Sequence, residues 1–160
     1  MNYQPLPPQA PGKNLLLVTG ILFIIFNAFG VLTTPFTLMT MDSWLWLFGG
    51  QAMRATWTML YTFNIMLSAF AVIVGILGIM YCNKTDKASL LLVLAVVTIV
   101  SSVIFNIAYT VAILAHSTAL GVTNIIGIPI GLVLPILFII GALKNKNAAN
   151  TPPMPHHRPY

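Results

Sequence analysis

Four apolar runs, each free of charged side chains and each long enough to cross a bilayer, occupy most of the 160 residues. A helix rising about 1.5 Å per residue needs about 20 residues to cross some 30 Å of hydrocarbon. No water is present there to satisfy backbone amides, so runs of this kind must be helical. The spans read as about 15–33, 57–81, 88–115 and 122–143. Composition agrees: 58% of residues are hydrophobic and 6% charged, which a soluble domain does not match. The expected fold is all-α, a polytopic membrane protein built as an antiparallel four-helix transmembrane bundle with a short interfacial helix in the first outer loop. The expected organisation is a Pro-rich tail over 1–13, a membrane domain over 14–143 and a second Pro-rich tail over 144–160.

Orientation follows from the cations, which are retained on the cytoplasmic side of short loops. Lys13 precedes the first span, Lys84 and Lys87 lie between the second and third, and Lys144, Lys146 and Arg158 follow the fourth. Only Arg54 falls on the other side. Both termini are therefore expected in the cytoplasm of a multi-pass cell-membrane protein, with 34–56 and 116–121 outside. Trp44, Trp46 and Trp57 would mark the outer interface and Tyr81 the inner one. The net charge of +5 then reports topology and attraction to anionic headgroups, and no nucleic-acid partner is expected. Lys13 followed by an apolar stretch also has the layout of a signal peptide, with Ala28-Phe29-Gly30 as a faint cleavage site. The run is long for that role, and the uncleaved reading uses every span.

Each run carries one asparagine: Asn27, Asn64, Asn106 and Asn124. An amide in hydrocarbon needs a partner, so these residues point to the faces where helices meet. They lie on seams of small and polar residues at three-four spacing. The seams are Gly20, Phe23, Asn27, Gly30 and Thr34; then Tyr61, Asn64, Ser68, Ala71, Gly75 and Gly78; then Thr98, Ser102, Asn106 and Thr110; and finally Asn124, Gly127, Gly131, Leu134, Phe138 and Gly141. Gly127-x-x-x-Gly131 has the spacing of a close helix contact. Counted from the outer ends, the amides form a tier in the outer half, shallowest at Asn124 and deepest at Asn106. Two readings stay open for Asn27, Tyr61, Asn64, Ser68, Ser102, Asn106, Thr110 and Asn124. They are interhelical glue, each bond contributing roughly 0.6 and at most about 2 kcal/mol, or they line a polar cavity open to the outside. Closed amide contacts would favour an interaction protein. A wide cavity lined by Asn64, Ser102 and Asn106 would favour transport.

The first outer loop is apolar for a segment in water. Asp42 and Ser43 are expected to cap a short interfacial helix over Trp44-Leu45-Trp46-Leu47-Phe48, stopped by Gly49-Gly50. Trp44, Trp46 and Phe48 are its candidate recognition residues, and Asp42 and Arg54 are placed to pair across the loop. The tails, with Pro5, Pro7, Pro8 and Pro11 before the spans and Pro152, Pro153, Pro155 and Pro159 after, favour extended polyproline-like chain and build no core.

Catalytic groups are missing from the pattern. No acid lies within a span, and neither H-E-x-x-H nor G-x-S-x-G occurs. The lone Cys82 and three histidines lack metal-ligand spacing, so neither a metal nor another cofactor is expected. Cys82 at the membrane edge is a candidate for S-acylation or an inert thiol, and His116 for an external pH sensor or a solvated loop residue. A proton-driven exporter would need an ionisable group in the membrane, and the spans contain none. Pro129 and Pro135 interrupt the fourth span and free backbone carbonyls.

The run Lys13-Asn14-Leu15-Leu16-Leu17-Val18-Thr19-Gly20-Ile21-Leu22-Phe23-Ile24-Ile25-Phe26, behind a Pro/Gln-rich tail, resembles the opening of small uncharacterised four-span membrane proteins of Gram-positive bacteria. That resemblance implies a four-span architecture and no particular function. The reading favoured from the residues is a non-enzymatic accessory protein that packs with a partner membrane protein or with copies of itself. The alternative is a pore or carrier subunit for ions or small polar solutes, lined by the Asn, Ser and Thr seams.

Overall fold

The computed structural model describes residues 9–45, 53–114 and 118–150; within these, the side chains of Trp44, residues 118–124 and residues 126–127 are outside the description. The elements are α1 (Lys13–Met39), α2 (Met41–Trp44), α3 (Arg54–Tyr81), a 3-10 turn (Thr85–Lys87), α4 (Ala88–Leu114) and α5 (Thr118–Asn150). No strand occurs among the described residues. Four helices are long and apolar enough to cross a membrane, and they pack as an all-α four-helix bundle, the architecture of a multi-pass membrane protein. Helix α1 lies between α3 and α5, and α4 closes the ring on the opposite side.

Two of the spans run beyond their expected ends. Helix α1 continues through Pro35 to Met39, six residues past Thr33. The cluster of hydroxyls that reads as a loop instead satisfies itself along the helix. Thr34, Thr37 and Thr40 donate to the carbonyls of Gly30, Thr33 and Phe36 at 2.7, 3.1 and 3.1 Å. A hydroxyl bonded to its own helix costs that helix little. At the other end α5 reaches Asn150 and takes in the start of the expected tail, because Lys144 to Asn150 contain no breaker before Pro152.

Backbone approach fixes the α1–α3 pair. A β-carbon on Gly20 would stand 2.8 Å from the Gly75 carbonyl oxygen, and one on Gly75 would stand 2.8 Å from the Gly20 carbonyl oxygen. Small residues at both positions let the two helices touch, and this is the main source of helix affinity inside a bilayer. Towards the lysine-bearing end, Leu16, Phe23, Val74, Leu91, Ala95, Phe138 and Ala142 form a continuous core. Phe138 meets Phe23 edge to face at 5.6 Å, a preferred aromatic geometry.

That end is also tied by polar groups. Asn145 is fully buried; its Oδ1 accepts the Gly12 N–H and its Nδ2 donates to the Cys82 carbonyl, while Asn83 Oδ1 accepts the Ala10 N–H. The segment before the first span, expected to be a free tail, is therefore packed from Ala10 onward. Cys82 is buried as well, which removes the exposed thiol that S-acylation would need. Tyr81 is half-buried, with Lys84 Nζ 5.4 Å from the centre of its ring.

At the opposite end a short helix begins earlier than the expected interfacial one. It spans Met41–Trp44 with Thr40 as its N-cap, so Asp42 and Ser43 lie inside it and make no cap. Asp42 then sits in the first turn, where a negative charge is favoured, and pairs with Arg54 at 3.2 Å. Both side chains are more than half exposed, and such a pair contributes about 0–1 kcal/mol. Trp46 and Phe48 fall outside the described residues, as do His116 and the proline-rich stretches at 1–8 and 151–160. Trp57 corrects the expected aromatic belt. It is 2% exposed and packs with Met41, Leu45 and Ile113, with Tyr109 edge-on at 5.8 Å.

Candidate functional site

Between the core at the lysine-bearing end and the Trp57 cluster, the bundle holds a partly open cavity of about 460 Å³. All four long helices line it. Helix α1 supplies Phe23, Phe26 and Asn27, and α3 supplies Asn64, Leu67, Ser68 and Ala71. Helix α4 supplies Thr98, Ser102, Phe105 and Asn106, and α5 supplies Ile130, Gly131, Leu134 and Pro135. The seams thus converge because the glycine contact draws α1 and α3 together at one level. Phe105, Leu67 and Leu134 are the bulkier residues that line the next level.

Among the described residues, the amides of Asn27, Asn64 and Asn106 are not bonded to one another. Asn27 Nδ2 donates to the Phe23 carbonyl at 2.9 Å, and Asn106 Nδ2 donates to the Ser102 carbonyl at 2.8 Å, each within its own helix. Asn64 does bridge helices, its Oδ1 accepting from Thr34 Oγ1 at 3.2 Å. Back-bonding to the preceding turn uses one N–H of each amide, and both residues line the cavity. An interhelical bond to a hydroxyl is present at Asn64, whereas the bonds of Asn27 and Asn106 stay within their own helices.

Of the candidate residues, Asn27, Asn64, Ser68, Ser102 and Asn106 come together at this cavity. Tyr61 does not join them. It belongs to the Trp57 cluster, with its ring 6.2 Å from that of Trp57 and its hydroxyl paired with Tyr109. Thr110 is buried one turn beyond and donates to the Asn106 carbonyl at 2.7 Å. The backbone of Asn124 is helical, and its side chain is outside the description. Gly131 is not the contact residue its spacing implied: a β-carbon there would meet nothing within 4 Å, because this position faces the cavity.

Comparison with protein-family models, curated proteins and solved structures gave no match. The functional reading therefore rests on the geometry of this chain.

Some contributors to the site were not apparent in the sequence. Thr98 was on its seam without being singled out, whereas Phe26 and Phe105 look like lipid-facing aromatics in a hydropathy pattern. Asn145 continues the Leu134, Phe138, Gly141 periodicity by one further step, and that signal was present in the residues.

Proposed function

We propose that this protein binds a small polar or amphiphilic solute in its intramembrane cavity and acts as a carrier or as a subunit of one. The observation that supports this most is that Asn27 and Asn106 line an open volume and bond only within their own helices, where interhelical pairs would be expected of structural glue. A lining of apolar walls with a few placed polar groups is the usual composition of a ligand site. With both termini cytoplasmic, the packed Asn145 end is the cytoplasmic one and the cavity lies on the outer side of it. No ionisable group lies in the cavity wall, so recognition works through neutral dipoles, and the protein is proposed to be non-enzymatic. Proteoliposomes loaded with small polar solutes test the proposal. Flux that is present with the wild-type chain and lost with the Asn64→Leu/Asn106→Leu double variant is the expected result. Equal flux, or none in either, counts against it.

A second reading, in which the chain packs with a partner membrane protein or with copies of itself, has its own observation. Helices α3 and α4 leave between them an apolar groove of about 340 Å³, lined on the bilayer side by Met59, Phe63, Ile104 and Ala108. A partner's transmembrane helix is the occupant of matching chemistry. Gentle solubilisation should then recover a stoichiometric partner or a homo-oligomer. Repeated recovery of the protein as a lone chain removes this reading.

A further inference from the structure

We propose that the part of α5 from Ile125 to Leu134 is a lid that swings about Pro135 to close the cavity over its solute; the inference rests on the solute-binding reading above and names how that site closes. Helix α5 has two unlike halves. From Pro135 onward it is fastened to α1 and α3. Phe138, Ala142 and Asn145 are fully buried, a β-carbon on Gly78 would overlap the Phe138 ring, and one on Gly141 would stand 3.0 Å from Leu16 Cγ. Asn145 adds its bonds to the Gly12 N–H and the Cys82 carbonyl. From Ile125 to Leu134, by contrast, no described residue is buried. The three other helices each bury part of the cavity wall: Phe23 on α1, Ser68 and Ala71 on α3, and Thr98 on α4.

The halves meet where the helix bonding is interrupted. Pro135 has no N–H to give the carbonyl of Gly131, four residues before it, and its ring crowds that carbonyl. Pro129 withholds the same bond from Ile125. A helix without these bonds bends more cheaply than an intact one, and prolines are where kinks sharper than about 20° occur. Ten residues separate Ile125 from Pro135. At about 1.5 Å per residue that is an arm of about 15 Å, so a further bend of about 20° carries Ile125 about 5 Å.

What stands around the arm sets the direction of the swing. Ile130, Gly131 and Leu134 line the cavity, and a β-carbon on Gly131 would meet nothing within 4 Å, so the helix has free space in front of it where its own bulk is least. Close approach of helices at glycine is already used by this chain, at Gly20 and Gly75. The other walls are held in place. That glycine contact joins α1 to α3, and beyond the cavity Leu38, Trp57 and Ile113 pack with Met41 and Leu45 to tie α1, α3 and α4 together. Segments with few buried contacts are the ones that move around a ligand, while packed cores stay fixed. Closure brings Gly131 and Leu134 onto the solute and shuts off the site from its surroundings.

Distances between nitroxide labels on exposed positions, read by pulsed electron spin resonance on the full chain in nanodiscs in a Cys82→Ala background, test the lid. Ile125→Cys with Thr62→Cys spans α5 and α3 at the lid, and Leu143→Cys with Met80→Cys spans the same helices at the fastened half. The lid pair should show two distances about 5 Å apart, and the fastened pair one. Pro135→Ala returns an N–H to the Gly131 carbonyl, and Gly131→Leu puts a side chain in the path of closure at a position with room for it. Each should leave the lid pair with the longer distance alone. A single lid distance with Pro135 and Gly131 in place, or two distances in all three chains, overturns the lid. Solute flux in proteoliposomes alongside a single lid distance overturns the lid and leaves the solute-binding reading standing; two lid distances without flux do the reverse.

Discussion

Asn145 joins the entry of the first helix to the end of the second: its Oδ1 accepts the Gly12 N–H at 2.6 Å, and its Nδ2 donates to the Cys82 carbonyl at 2.8 Å. Because Asn145 is fully buried, truncation strands a donor and an acceptor together. Each stranded group costs about 1–3 kcal/mol, so Asn145→Ala should destabilise the bundle by about 2–6 kcal/mol. Thermal unfolding in detergent or nanodiscs, with Asn150→Ala at the exposed end of the same helix as the control, measures the difference.

The same clamp controls a thiol. Cys82 is 7% exposed, so an aqueous maleimide should label it slowly in the folded chain and quickly after denaturation. Asn145→Ala should accelerate labelling of the folded chain, since opening of this end is the route to the sulfur. Mass spectrometry over a time course reads both rates. Equal rates in wild type and variant would show that Asn145 does not hold the segment closed.

Two glycines separate contact from cavity. Gly75→Ala drives a methyl group to 2.8 Å from the Gly20 carbonyl oxygen, and overpacking of this kind typically costs about 1–3 kcal/mol. Gly131→Ala meets nothing within 4 Å and gains about 0.5–1 kcal/mol of helix propensity. Opposite signs in the two thermal shifts are the expected outcome.

Hydropathy and charge spacing made the four helices legible, because hydrocarbon leaves a backbone so few options. Helix ends were less legible. The hydroxyls from Thr34 to Thr40 read as a loop, yet Thr34, Thr37 and Thr40 each use the preceding turn of their own helix. Likewise, Lys144 and Lys146 mark the edge of a membrane without marking the end of a helix. Three-four periodicity placed Asn27, Asn64, Ser68, Ser102 and Asn106 on facing seams, where the structure has them. It could not say whether facing side chains touch, since that depends on how far apart the helices stand at that level. Nor could it separate Gly20, which touches another helix, from Gly131, which touches none.

Access to the cavity from water is what the proposed function most requires. In a Cys82→Ala background, Ser102→Cys places a thiol on the cavity wall and Ile104→Cys places one on the lipid-facing side of the same helix, where Ile104 is 63% exposed. A membrane-impermeant trimethylammonium thiosulfonate added outside sealed vesicles or cells reports which thiol water can reach. Labelling of Ser102→Cys at least about tenfold faster than Ile104→Cys is the expected result, because a thiol in hydrocarbon is neither ionised nor met by a charged reagent. Ser102→Cys that resists labelling as Ile104→Cys does would contradict a solute-accessible cavity.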